Sequence, residues 1–498
     1  METNINSIVQ ELFDTYYDES KGDFTKDLSQ EIAKRANGNQ EMISKIKNQL
    51  ELFKVATKSA KKTETSKQLD NLPKETKETG EKVKKLLNNY GIDSEFVNAK
   101  IGPRVTQYEF DLAPGVRINQ VANLSKDLAM GLGVKQVAVN PIEGGTNLGI
   151  QIPNETSTNV SLDDVDNSKD KGVTMSLGKD MNGDPVVGDI LDLQHVLIGG
   201  STGSGKSACI NSIICSLIKK YGPDIVKLIL IDPKKVELTS YNNIPHLLMP
   251  IVTDPNKAAE VLEQLCDVMD KRYDVFSKVK VKNIEAYNQL VTKYNEAGNS
   301  AKIMPYIICI IDELADLMMT AGKSVESSIQ RLTQLSRAAG IHLIVATQRP
   351  SVDVVTGTIK NNIASRIAFA TPSSIDSKTI LDQPGAEKLL GKGDMLYKPI
   401  GTSNPKRVQG AFVSDDEVNN IVNSVIDKYG AYGNSKNVSN KKQEEKPKEE
   451  IDENYKKAVD YVKQNKKVST SALQIALHIP FSEATRLINK MRENGIIK

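Results

Sequence analysis

One segment constrains this chain more than any other: Gly200-Ser201-Thr202-Gly203-Ser204-Gly205-Lys206-Ser207. It follows an apolar run, HVLIG, and opens a helical pattern, SACINSIICSLIKKYG, that stops at Gly222-Pro223. Strand, glycine-rich turn and helix in that order with GxxxxGK[ST] spacing are the context of a P-loop. Glycines let successive backbone N–H groups close around phosphate oxygens, and the helix N-terminus adds a favourable dipole. Lys206 is then expected to neutralise the β/γ-phosphates of ATP, and Ser207 to place its hydroxyl on Mg²⁺. A P-loop also requires an α/β fold around it, with carboxylates at the ends of neighbouring strands.

Those neighbours are legible. From residue 179 to about 430, short apolar runs alternate with helical patterns: HVLIGG, VKLILID, YIICIID, IHLIVAT and RIAFAT. Near-continuous apolar strands with helical crossovers predict a parallel sheet. YIICII ends at Asp312-Glu313, which puts two carboxylates beside the bound nucleotide. Asp312 is expected in the Mg²⁺ shell, and Glu313 as the base that orients and deprotonates water. VKLILI ends at Asp232, followed by Pro233-Lys234, and IHLIVAT ends at Gln348-Arg349. Gln348 is placed to sense a γ-phosphate, although a polar loop residue needs no such role to be there. The helix SVESSIQRLTQLSRAAG carries Arg331 and Arg337. Either could complete a neighbouring subunit's active site, or merely be a cation near a helix C-terminus.

Composition excludes other classes. The 498 residues give a prior of about three domains. There are 65 basic and 63 acidic residues, a net charge of +2, so any nucleic-acid surface is a local patch. No apolar run reaches the roughly 18 residues that a membrane span needs, and the acidic N-terminus has no signal-peptide pattern. A cytoplasmic protein is expected. Cys209, Cys215, Cys266 and Cys309 lie singly in apolar stretches and read as reduced core residues. The isolated histidines His195, His246, His342 and His478 read as structural, not as metal ligands.

Residues 1–53 show helical spacing of apolar positions and no catalytic pattern, and read as a small helical module or a partner-binding arm. Residues 54–82, rich in Lys, Thr, Glu and Ser with charges alternating in sign, read as a polar linker. Residues 83–178 mix helix and strand patterns and read as a small α+β domain. A second polar linker is expected over 434–454. The last segment, 455–498, reads as a winged helix-turn-helix with its turn at Ile479-Pro480 and its reader helix from Ser482 to Glu493. From Ile451 onward, nine basic residues face five acidic ones, a local +4 that suits DNA backbone contact.

Several longer strings then carry a family resemblance: IDPKKVEL, YNNIPHLLMPIVTDPNKA, YIICIIDELADLMMTAGK, SRAAGIHLIVATQRPSVDVVTG and ILDQPGAEKLLGKGDMLY. With VTQYEFDLAPGVRINQVANLSKDLA upstream and the C-terminal segment, they resemble the FtsK/SpoIIIE DNA translocases over about four-fifths of the chain. The resemblance implies a RecA-like motor between family α and γ domains, assembled as a homo-hexamer that hydrolyses ATP and pumps double-stranded DNA through its centre. It implies Arg337 as the arginine finger, Arg349 and Lys360 as channel contacts to DNA, and the tail as the domain that loads the ring on oriented sequences. Family members usually begin with transmembrane helices, which this chain lacks, so a soluble form is expected. Ser374 stands where the family often has Lys, so one phosphate contact is expected to be missing. The base-reading positions of the tail are Ser482, Arg486 and Asn489, where the family typically has Asn, Arg and an acidic residue. Two rival readings remain from the sequence: a DNA-binding ring that uses ATP only as a gate, and a conjugation-type ATPase acting on single strands. The Asp312-Glu313 pair favours turnover, and the tail favours duplex DNA.

Overall fold

All five apolar runs of the central segment become strands in the computed structural model. It describes residues 2–18, 23–25, 27–36, 39–142, 147–166 and 172–433. In the tail it describes 458–459, 461–462, 470–477, 487 and 491. Runs of Val, Ile and Leu that are buried on both faces form strands only where helices cover both sides of the sheet. Here β9 (Val196–Gly199), β10 (Val226–Ile231), β11 (Tyr306–Ile311), β12 (Ile341–Thr347) and β13 (Ser365–Phe369) lie parallel in the order β10-β11-β12-β9-β13. One face packs on α8 (Lys206–Lys220) and α14 (Asp415–Tyr429) through Ile210, Ile214, Leu217 and Val422. The other packs on α9 (Pro255–Val279) and α11 (Leu314–Leu335) through Leu262, Met269, Ile329 and Leu332.

The sheet does not stop at five strands, which corrects the expectation of a parallel sheet. β14 (Asp394–Lys398) and β15 (Lys406–Gly410) extend it antiparallel from β13, followed by β7 (Thr174–Asp180) and β8 (Pro185–Asp189). Short links without a helix, such as 181–184 and 399–405, permit only antiparallel neighbours. β7 belongs to the nine-stranded sheet, so the domain limit expected at 178/179 falls inside a strand.

The upstream domain is a four-stranded antiparallel sheet. Its strands are β3 (Ser94–Ile101), β4 (Val105–Leu112), β5 (Ala138–Pro141) and β6 (Leu148–Pro153), in the order β3-β4-β6-β5. α4 (Lys74–Asn89) and α6 (Ser125–Leu132) cover it, with Val83, Leu87 and Leu128 on Phe96, Phe110 and Ile150. Gly80 permits the close approach, because a Cβ there would lie 2.4 Å from the Phe96 ring.

The stretch 54–82 is helical instead of an irregular linker. α3 (Gln40–Asp70) runs through it, and α4 begins at Lys74. Lys and Glu are good helix formers and alternating signs suit i,i+4 pairing, so high polarity here is compatible with a helix. At its start α3 shares an apolar cluster with α1 (Glu2–Tyr16) and α2 (Leu28–Arg35): Val9, Leu12, Leu28, Ile32, Ile46 and Leu50. At its end Leu69 reaches the core of the upstream domain.

The tail forms a separate unit, beginning at Asn437. Its described part includes α15 (Thr470–Leu477) and an apolar cluster of Ala458, Leu473, Leu487 and Met491. The linker expected over 434–454 and the reader residues Ser482, Arg486 and Asn489 lie outside the described residues. Among the described residues, no helix is long and apolar enough to cross a membrane.

Candidate nucleotide-hydrolysing site

The turn after β9 is shaped by its glycines. Gly203 and Gly205 take positive φ values of 75° and 114°, a region open to glycine and strained for other residues. A Cβ on Gly205 would fall 2.3 Å from the Gly393 nitrogen, so the site is closed to any side chain. Lys206 begins α8 and is almost fully buried. Its Nζ donates to Asp312 Oδ1 at 2.6 Å and to the Asp312 carbonyl at 2.6 Å. The lysine of the glycine-rich turn and the acid at the end of β11 therefore meet as a buried pair. Asp312 Oδ2 is buried without a hydrogen-bond partner, as is Ser204 Oγ.

Glu313 caps α11 and is 1% exposed. Its Oε1 accepts from Thr347 Oγ1 at 2.7 Å and from the Gln348 amide at 3.1 Å. Its Oε2 accepts from Lys234 Nζ at 3.1 Å. Gln348 in turn accepts a hydrogen bond from Thr202 Oγ1 at 2.9 Å, which ties the end of β12 to the P-loop. Asp232 faces its own loop, accepting from the Leu238 amide.

A cavity of about 450 Å³ opens beside this cluster. Ser201, Gly203, Gly205, Lys206 and Ser207 line one side, and Gln348 closes an edge. These residues fit a nucleoside triphosphate and its magnesium ion. The glycine cradle leaves no room for side chains, Lys206 supplies a cation, and Asp312 Oδ2 and Ser207 Oγ are oxygen donors of the kind Mg²⁺ takes. The four described cysteines are buried and free, and no cluster of metal-ligating side chains occurs among the described residues.

Arg337 is not part of this cluster. It lies in the turn before β12, whereas Gln348 follows that strand's other end. Seven residues of strand separate them, about 20 Å at roughly 3.3 Å per residue. The side chain is exposed, yet its turn is pinned from α9. Arg272 Nη1 donates to the Ala339 carbonyl, and Tyr273 Oη to the Leu335 carbonyl. Burial pulls the Arg272 pKa down to about 10, still well above neutrality. Arg331 is paired with Asp270 at 2.6 Å on the surface. Arg349 is exposed, its Nη1 3.7 Å from Met319 Sδ. Lys360 is engaged locally, with Nζ 2.6 Å from Asp382 Oδ1. Arg337 thus sits at the opposite end of β12 from Gln348, Arg349 directly follows Gln348, and Arg331 and Lys360 are held in local ion pairs.

Sequence reasoning missed Thr347, Arg104, Lys392 and Phe412. Thr347 had a usable signal, since it directly precedes Gln348 at the strand end. The others line the cavity from distant parts of the chain, and no spacing connects residue 104 with residue 392.

Comparison with known families places each segment. The FtsK/SpoIIIE family model matches residues 162–352, the FtsK alpha domain 57–154 and the FtsK gamma domain 449–498. The chain is 47% identical over 436 residues to "DNA translocase FtsK" of Staphylococcus aureus, covering 85% of this chain and 54% of that protein. It is 44% identical over 445 residues to the Listeria monocytogenes protein of the same name, covering 88% and 58%. The chain thus spans a little over half the length of these relatives. Among solved structures, the monomer of the pCW3 conjugation coupling protein TcpA, determined with ATPγS, shares the fold. Its TM-score is 0.50 and its identity 22%, over 70% of this chain and 99% of that one. The alpha-domain match begins inside α3. With its alpha, motor and gamma segments all matched in order, the chain belongs to the FtsK/SpoIIIE family.

Proposed function

We propose that this chain is an ATP-driven translocase that pumps double-stranded DNA through a homo-hexameric ring. The observation that carries this is the hydrogen-bonded cluster of Lys206 with Asp312 and of Glu313 with Gln348 at the strand ends, with Lys206 and Gln348 lining one cavity. Backbone amides from Gly200 to Ser207 would bind the phosphates, and Lys206 would exchange Asp312 for phosphate oxygens. Ser207 and Asp312 would hold Mg²⁺, which spreads the charge that develops on the transferred phosphoryl group. Glu313, anchored by Thr347 and the Gln348 amide, would take the proton from the attacking water. Gln348 would report γ-phosphate loss through its bond to Thr202.

Arg337 would act on the next subunit's nucleotide. Its position at the end of β12 opposite Gln348, about 20 Å along the strand, supports action in trans. Arg349 and Lys360 are assigned to the DNA channel, Lys360 after release from Asp382. Ser482, Arg486 and Asn489 are assigned to base reading in the tail, where Arg486 would pair with guanine and Asn489 with adenine. Residues 1–53 are assigned to a protein partner. A cytoplasmic location suits the four free thiols and a DNA substrate.

The test is ATP hydrolysis by the purified chain with duplex, single-stranded or no DNA. Duplex is expected to stimulate most. Glu313→Gln is expected to keep ATP affinity and lose about 10²–10⁴ in turnover, the range for removing a general base. Stimulation by single strands alone, or full turnover in Glu313→Gln, would refute the proposal.

A further inference from the structure

The tip of the β3–β4 hairpin, Gly102-Pro103-Arg104, leaves the upstream domain and reaches the motor. Arg104 is half-buried there. Its Nη1 donates to the Gly391 carbonyl at 3.1 Å and to the Lys392 carbonyl at 2.9 Å. The next residue, Gly393, donates its N–H to the Ser204 carbonyl at 2.8 Å, inside the P-loop. Gly393 fits only because Gly205 has no Cβ. Three links therefore run from a side chain of the upstream domain to the phosphate-binding turn.

The 391–393 segment is held on its other sides as well. Arg407 pairs with Asp394 through both carboxylate oxygens and also donates to Gln151 of the upstream sheet. Gln136 donates to the Lys388 carbonyl at 2.6 Å. Lys392 sits at a positive φ of 50°, costly for a residue with a Cβ and sustained by these flanking bonds.

Arg104 and Lys392 line the same cavity as Lys206 and Ser207. Arg104 Nε and Nη2 have no protein acceptor among the described residues, and neither does Lys392 Nζ. Two cations thus line the cavity together with the P-loop, with donors to spare and a backbone cost already met. We infer that Arg104 and Lys392 form a second wall of the nucleotide site. A nucleoside polyphosphate is gripped between the P-loop and this wall, and its binding fastens the hairpin tip to the motor. A guanidinium can place two parallel N–H donors on one phosphate where an ammonium acts as a point charge, so Arg104 carries the larger share. This rests on the reading of the P-loop as an ATP site.

The experiment titrates MgADP and MgATPγS into the full chain: wild type, Arg104→Ala, Arg104→Lys, Lys392→Ala and Lys206→Ala. It also follows amide hydrogen exchange across residues 101–106 with and without nucleotide. Arg104→Ala is expected to weaken both nucleotides about tenfold, the scale of one charged hydrogen bond. Arg104→Lys is expected to recover part of that loss, and Lys392→Ala to weaken binding less. Nucleotide should protect the 101–106 amides in wild type and not in Arg104→Ala, with exchange elsewhere in the upstream sheet unchanged. If Arg104→Ala and Lys392→Ala bind like wild type while Lys206→Ala does not, the second wall is refuted and the ATP site stands. If Lys206→Ala also binds like wild type, the ATP reading itself fails.

Discussion

Replacing Lys206 with Met tests how the site is held before nucleotide arrives. The lysine side chain is 2% exposed and that of Asp312 is not exposed at all, with 2.6 Å between them. Lys206→Met keeps much of the apolar stem and removes the charge, leaving Asp312 buried without a counter-ion. Removing one partner of a buried pair costs about 3–5 kcal/mol, because the other charge stays desolvated. A motor of this size loses roughly 2–4 °C per kcal/mol, so its transition is expected to fall by about 10 °C. Adding Asp312→Asn to that variant removes the stranded charge at nearly constant volume and is expected to restore most of the loss. Scanning calorimetry without nucleotide reads all three proteins. MgATP should raise the wild-type transition and neither variant's, since binding stabilises only the form that binds. If Lys206→Met melts with wild type, the ion pair does not order the site. If the double variant melts no higher than Lys206→Met, the stranded carboxylate is not the cause of the loss.

Three further outcomes are expected. Arg337→Ala should abolish hydrolysis without weakening ATP binding, and mixing it with Glu313→Gln subunits should restore some activity; no rescue at any ratio would refute action in trans. Deleting residues 1–53 removes the N-terminal apolar cluster whole, so DNA-stimulated ATPase should persist, and a large fall would make this arm part of the motor. Acidification should destabilise the motor. Burial pushes the His195 pKa down to about 3 and those of His246 and His342 to about 4, so all three are neutral when folded. The unfolded imidazoles take up protons below about 6.5, so stability is present above that pH and lost as pH falls toward 4. At pH 5 each histidine costs about 2 kcal/mol, and a melting temperature that stays flat from pH 7 to 5 would contradict this.

The parallel half of the motor was legible because β9 to β13 are apolar on both faces and bounded by turns, a pattern few other structures fit. The P-loop and Asp312-Glu313 were legible because a local motif fixes their backbone. The antiparallel half was not. β14, β15, β7 and β8 carry mixed sequences such as KRVQG and PVVGD, whose pairing is decided by partners far along the chain. Residues 54–82 misled because a helix rich in Lys, Glu and Thr has the same composition as an irregular linker. Arg104 was invisible for a third reason: its role depends on a hairpin tip meeting a loop some 290 positions later.

Duplex transport itself is read most directly by triplex displacement. A third strand bound to a long DNA duplex is stripped only by a protein that moves along that duplex. With ATP, the purified chain is expected to release the strand after a lag that lengthens with distance between the loading end and the triplex. Glu313→Gln should release none. Release without a distance-dependent lag, or no release while ATP is hydrolysed, would contradict translocation and leave a DNA-stimulated ATPase that does not travel.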